Sequence, residues 1–236
     1  ATGGRDADYV EILGGLKEGE RIVVAANFLI DRDEEADKDF AYPAFNDNDE
    51  GEFWRAIGQA ITGKERQAAA MLKAKGDIFR TYPRALKMRL GEVVVNSALS
   101  VADTPMASRY LEVLAEEKPV GNEIDRLALL EGKVHQLSGN FDQAVSAWEA
   151  VEKGNHRPSM AEATVLRANL LLGQKKIPPK DAIVELEKLR YAWRGGEFEF
   201  NLLKQLGQLY LSVGDYRNGL RTLQEAVTYF RDNPES

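Results

Sequence analysis

Leu203-Lys204-Gln205-Leu206-Gly207-Gln208-Leu209-Tyr210-Leu211-Ser212-Val213-Gly214-Asp215-Tyr216-Arg217-Asn218-Gly219-Leu220-Arg221-Thr222-Leu223-Gln224-Glu225-Ala226 decides the fold. Apolar residues recur at three- and four-residue steps on both sides of Gly214-Asp215, so the stretch reads as two helices, 197–212 and 216–230, around a tight turn. The same rhythm extends back toward the front of the chain. It predicts helices at 51–61, 65–79, 84–100, 104–116, 122–138, 141–152, 159–173 and 179–192 as well. Pro83, Pro105, Pro119, Pro158, Pro178, Pro179 and Pro234 fall at these boundaries, where a missing N–H costs little. Ten helices with short turns make five antiparallel pairs, arranged either as a bundle or as a stack of hairpins.

An internal repeat distinguishes the two. The last pair carries Leu203, Leu206-Gly207, Tyr210, Gly214-Asp215-Tyr216, Gly219, Leu223, Ala226 and then Pro234. An earlier copy carries Ala128, Glu131-Gly132, His135, Gly139-Asn140-Phe141, Ala144, Trp148 and Val151, with Gly132 and Gly207 75 residues apart. Between them, Ala144, Ala182 and Gly219 follow at 38 and 37 residues, although Gly173 to Pro179 lengthens the turn. Two weaker copies precede, around Trp54-Gly58-Ala69-Leu72-Pro83 and Leu90-Gly91-Val94-Ala107-Leu111-Leu114.

On these residues the chain resembles the tetratricopeptide repeat family over about 50–234. The resemblance implies an all-α solenoid of about five helical hairpins. Small residues let the two helices of a hairpin cross closely and large ones fill the space beside them. It also implies a concave face lined by the first helix of each pair. Mapped onto this sequence, that face carries Arg126, Lys133, Gln136, Asn169, Asn201, Lys204 and Gln208. These mixed polar groups suit a peptide backbone or acidic side chains. One hairpin cannot bury its own apolar stripe, so neighbours must stack. Leu220 and Val227 are expected to present an open stacking edge through which copies could associate.

The front differs. Residues 9–24 read as strand, glycine turn, strand, a short β-ribbon formed within residues 1–30. Residues 31–52 hold ten acids against Arg32 and Lys38, a local charge of −8 within a chain of −7. We read residues 31–50 as a solvated acidic linker and 51–236 as the repeat domain. Val10-Glu11-Ile12, Gly15-Leu16-Lys17-Glu18-Gly19-Glu20, Arg21-Ile22-Val23-Val24 and Asn27-Phe28-Leu29-Ile30-Asp31 resemble the C-terminal, membrane-proximal stretch of periplasmic adaptor subunits of RND-type efflux pumps. That resemblance implies a periplasmic place in the bacterial envelope, otherwise a cytoplasmic one, and a role as accessory or adaptor of an efflux assembly as the alternative to a scaffold.

Composition narrows the chemistry. The chain has no cysteine, so disulfides, thiolate catalysis and cysteine metal sites are excluded. No basic face suggests nucleic acid, and no apolar run suggests a spanning helix. Histidine occurs only at His135, at a packing or groove position, and His156, in an expected exposed loop. Zinc, phosphate-loop and serine-elbow motifs do not occur, and Glu116/Glu117 and Glu185/Glu187 do not share a helix face. Tyr191, Trp193, Phe198 and Phe200 cluster around an inter-repeat turn, where packing is expected. The sequence therefore predicts a scaffold for a protein or peptide, with no catalytic, metal or cofactor site.

Overall fold

The computed structural model describes residues 2–5, 10–12, 48–191 and 196–229. At the front, β1 (Thr2–Arg5) pairs antiparallel with β2 (Val10–Ile12), placing Thr2 opposite Ile12 and Arg5 opposite Val10. Of the ribbon expected over residues 9–24, only Val10–Ile12 falls among the described residues. Val10–Ile12 pairs with the segment only four residues before it, a short closure that costs little chain entropy. Residues 13–47, which hold the expected second strand and most of the acidic linker, lie outside the described residues.

Ten α-helices follow among the described residues: α1 (Asp49–Ile61), α2 (Glu65–Lys75), α3 (Arg84–Ser100), α4 (Thr104–Glu116), α5 (Asn122–Leu137), α6 (Phe141–Glu152), α7 (Arg157–Gly173), α8 (Pro179–Glu187), α9 (Gly196–Ser212) and α10 (Tyr216–Tyr229). Two end earlier than their sequence pattern suggests. The second tightens into a 3-10 helix over Gly76–Thr81, where Gly76 passes directly under the Tyr110 hydroxyl. The eighth stops at Glu187, and its last residues form successive turns that carry Arg190 inward.

Backbone geometry gives the period more sharply than side chains do. Gly63, Ala102, Gly139, Lys175 and Gly214 all have positive φ, at spacings of 39, 37, 36 and 39 residues. Each sits just after the first helix of a pair. In every case its own N–H bonds to the carbonyl three residues back, and the next N–H bonds to the carbonyl five back, as in Asp103 to Ala98, Asn140 to His135 and Asp215 to Tyr210, each 2.9 Å. This is the Schellman closure of a helix C-terminus. Lys176 to Leu171 repeats it at 2.9 Å with lysine at the left-handed position, and the lengthening read from the sequence follows that closure: α8 starts four residues after Lys175, where the other second helices start two residues after theirs.

Counting from that residue aligns the hairpins. Five places into each turn's second helix stand Ala68, Ala107, Ala144 and Gly219, with Ala182 two places later in the fourth pair, and all are buried. Seven places before the turn, the first helices carry Ala56, Val95, Gly132, Ala168 and Gly207. Gly58 and Gly91, the small residues expected for the first two copies, are therefore out of register. Gly91 still receives a large side chain: a Cβ there would lie 2.4 Å from Leu114 Cδ2.

Each helix packs on the next in the chain, and the first helices also reach their next-but-one neighbours: α1 with α3, α3 with α5, α5 with α7. No second-helix pair makes a comparable contact. First helices are thus crowded on the inside of a curve and second helices fan apart outside, as expected of stacked hairpins and not of a closed bundle. The largest core cluster joins Phe53, Ile57, Leu72, Tyr110 and Leu114 of the first two hairpins to Leu127, Leu130 and Val134 of α5. Trp148 anchors another, with Leu129, Val151, Ala163 and Leu170.

Candidate partner-binding surface

The inner side of the curve is built by helices that start 35–39 residues apart in sequence, and polar side chains tie them rung by rung. Arg126 on α5 places its Nε 2.9 and 3.0 Å from the two Glu92 carboxylate oxygens on α3. Lys133 on α5 meets Glu162 on α7 at 2.6 Å. Asn169 on α7 pairs its amide with that of Gln205 on α9. Of the seven residues read from the sequence as groove-lining, Arg126, Lys133 and Asn169 are thus engaged between neighbouring first helices. Asn201 and Gln208 are exposed on α9, Gln136 is half-buried, and Lys204 lies 6.0 Å above the Phe200 ring one turn earlier.

Burial sets the character of one rung. Glu92 is mostly shielded, and desolvation pushes its carboxyl above the ordinary value although Arg126 pulls the other way. Outside the inner face, two arginines join second helices to their successors. Arg167 bridges Glu152 on α6 and Glu185 on α8, each at 2.8 Å. Arg190 bonds Glu187 at 2.9 Å and also Glu225 on α10, while Tyr210 donates to Glu187 at 2.9 Å. Burial disfavours the Arg190 charge, but Glu225 and Glu187 more than offset it and raise its pKa. These contacts fix the relative rotation of adjacent hairpins.

An open cleft of about 570 Å³ lies at the front of the inner face, between α1, α3 and α5. Ala60, Ile61, Val93 and Leu99 give it an apolar floor, and Glu65, Asn96, Ser100 and Lys133 surround that floor. Ile61, Val93 and Leu99 are only partly buried, resting on the main core and keeping one side outward. Seven of these eight residues belong to the first two pairs, whose weak match to the repeat left them out of the residues mapped from sequence. The omitted signal was Val93-Asn96-Leu99-Ser100, a mixed stripe at helical spacing on α3.

A second depression, about 450 Å³, runs between α5 and α6 past Glu131, His135, Asp142 and Ser146. His135 is half-buried there, with its Nε2 3.7 Å from Glu131. His156 is not the exposed loop residue its sequence context suggests. It caps α7: its ring nitrogen lies 2.7 Å from the Ser159 hydroxyl and 3.4 Å from the Ser159 N–H. Its own backbone N–H, with that of Asn155, donates at 2.8 Å to Asp125 on α5. Of the aromatic cluster, Phe200 is buried and Phe198 partly so, Tyr191 is exposed, and Trp193 lies outside the described residues. Among the described residues no group of three or more His, Asp or Glu could hold a metal ion, and no helix is long and apolar enough to cross a membrane.

The arrangement is a helical-hairpin stack. No family model and no curated protein matches the chain. Among solved structures, the crystal structure of BtubC (BKLC) from P. vanneervenii is similar, with a TM-score of 0.51 at 13% sequence identity over 85% of this chain and 89% of that one. At this identity the likeness speaks for the fold alone.

Proposed function

We propose that the chain is a non-catalytic protein-interaction scaffold of the tetratricopeptide type, which holds a segment of a partner protein on its inner face. The observation that carries this reading is the cleft between α1, α3 and α5, where half-covered aliphatic side chains sit beside an amide, a hydroxyl and one charge of each sign. Such a floor takes an aliphatic anchor, and such a rim bonds an extended backbone. The rungs beyond it hold the first helices in a fixed curve, so the surface is formed before a ligand arrives, which lowers the cost of binding.

A pull-down with the intact chain tests the proposal. Asn96→Arg fills the cleft from an exposed position without touching the core, and captured partners should be lost. Reversal of Lys133 is a poorer probe, because it would set a carboxylate against Glu162. Retention of every partner by Asn96→Arg and by a Ser100→Arg variant would refute the reading. We place the scaffold in the bacterial envelope on the strength of the residues 9–31 alone. Co-purification with an inner-membrane efflux pump, dependent on those residues, would favour the adaptor role instead.

A further inference from the structure

We infer that α10 is a self-association surface, across which two copies of the chain pair antiparallel about a two-fold axis. Tyr216, Leu220 and Val227 are 66%, 63% and 50% exposed, and Leu223 between them is half-buried. They follow at steps of four, three and four residues, which aligns them on one side of the helix.

The equivalent side of α6 shows what such a stripe receives. Seventy-five residues earlier, Val145 stands where Leu220 does and Glu152 where Val227 does. Val145 packs against the cluster that includes Ala163 and Leu170 of α7, and Glu152 is held by Arg167 of α7 at 2.8 Å. A second helix of this stack therefore seats a neighbouring helix on this side. On α10 the polar position has become valine, which suits an apolar contact without a salt bridge.

The other end of the stack offers no match. Phe53, Trp54, Ala56 and Ile57 of α1 are all buried, its exposed positions Asp49 and Glu50 and half-buried positions Glu52, Arg55 and Gln59 are polar, and its one partly open large apolar residue, Ile61, lines the cleft. Head-to-tail stacking would set that polar surface on the α10 stripe. Among the described residues no other helix leaves three large apolar side chains exposed along one side. The complement available among the described residues of a second copy is α10 itself, which gives an isologous, closed interface.

The stripe also reads the same in both directions. In an antiparallel pair Tyr216 falls opposite Val227 of the second copy and Leu220 opposite Leu223 of the second copy, so a large residue meets a small one at each end. Arg217, beside the stripe, falls by Gln224 of the second copy, so no like charges meet. Antiparallel alignment also brings opposite ends of the helix dipoles together, whereas parallel alignment brings like ends together.

Sedimentation of the intact chain from about 1 to about 200 µM tests this, the range in which weak dimers dissociate. A reversible dimer is expected. Leu220→Arg should weaken it at least about ten-fold with unchanged helicity, and Val184→Arg, at an exposed site on α8, should not. Because the chain has no cysteine, the register is directly readable. Arg217→Cys with Gln224→Cys should yield a disulfide-linked dimer, and neither single variant should. Seven residues along one helix span about 10.5 Å, beyond disulfide reach, so no bridge forms within a chain. A monomer at every concentration would overturn the inference. So would a dimer indifferent to Leu220→Arg, or efficient crosslinking through Arg217→Cys alone.

Discussion

In the hairpin α5/α6 the ring of Trp148 lies across Gly132, and in α9/α10 the side chain of Leu223 lies across Gly207 in the same way. Both pairs close with a glycine at positive φ and the same two turn hydrogen bonds. Their surroundings differ. Trp148 is fully buried, sharing its cluster with Ala163 and Leu170 of α7, while Leu223 is half-buried and its helix presents Leu220 and Val227 to solvent. The local pattern sets how two helices cross; the neighbouring hairpin sets how much that crossing is worth. In a stacked architecture, stability is a sum over such interfaces.

The largest test of that comparison is truncation of the crossing side chain. Trp148→Ala should cost about 3–5 kcal/mol, since a large ring is removed from a site closed on every side. Leu223→Ala should cost less than half as much, because half-exposed atoms bury less area. Urea titration followed by far-UV circular dichroism would measure both, and equal losses would remove the neighbour from the explanation. Next comes the glycine itself. A Cβ on Gly132 would lie 2.2 Å from Trp148 Nε1, whose ring is locked by its cluster, whereas one on Gly207 would lie 2.5 Å from Leu223 Cγ, which has solvent beside it. Gly132→Ala should therefore destabilise by about 2–3 kcal/mol. Gly207→Ala should fall near zero, strain being offset by the roughly 1 kcal/mol gain in helix propensity.

The turns allow a smaller comparison of opposite sign. Lys175 holds φ +58 where Gly139 and Gly214 hold +78 and +80. Lys175→Gly should stabilise the fourth hairpin by about 1 kcal/mol, because left-handed geometry strains any residue with a Cβ. Gly139→Ala should lose about as much, and thermal midpoints would show the two shifts. The smallest effect concerns Glu92, whose carboxyl is raised above its ordinary 4.5 by burial, against the pull of Arg126. The folded chain then holds that proton more tightly than the unfolded one. Its contribution is fully present below the unfolded value and falls as pH rises through the raised one. Glu92→Gln cannot ionise, so its stability should vary less between pH 4 and pH 7 than that of the parent chain, by under about 1 kcal/mol.

Much of the helical part is legible in the chain because helices and turns answer to local chemistry. The helices expected at 84–100, 104–116 and 141–152 are found at those bounds, each flanked by proline or a turn residue that ends or starts it. The repeat was hardest to read where chemistry at the turn changed. Ala102 and Lys175 adopt the left-handed conformation without glycine, so the second and fourth turns carried no sequence mark of their kind. The inner surface was only partly readable. Arg126, Lys133 and Asn169 do lie on first helices, but their partners Glu92, Glu162 and Gln205 come from hairpins 29–36 residues away. The same distance hid the cleft, since Ile61, Val93 and Lys133 are brought together from three different hairpins.

Taken alone, the order of residues determined that this chain is helical over most of its length, where its helices bend back, and at which glycines two of its hairpins cross. Those properties depend on contacts within about forty residues, where periodicity and turn chemistry act directly. Tertiary structure decided which polar groups are spent holding one hairpin to the next, where an apolar floor stays open, and that α1 is covered while α10 is not. These are properties of surfaces that face one another only after stacking, and a surface has no partner until the neighbouring hairpin supplies one.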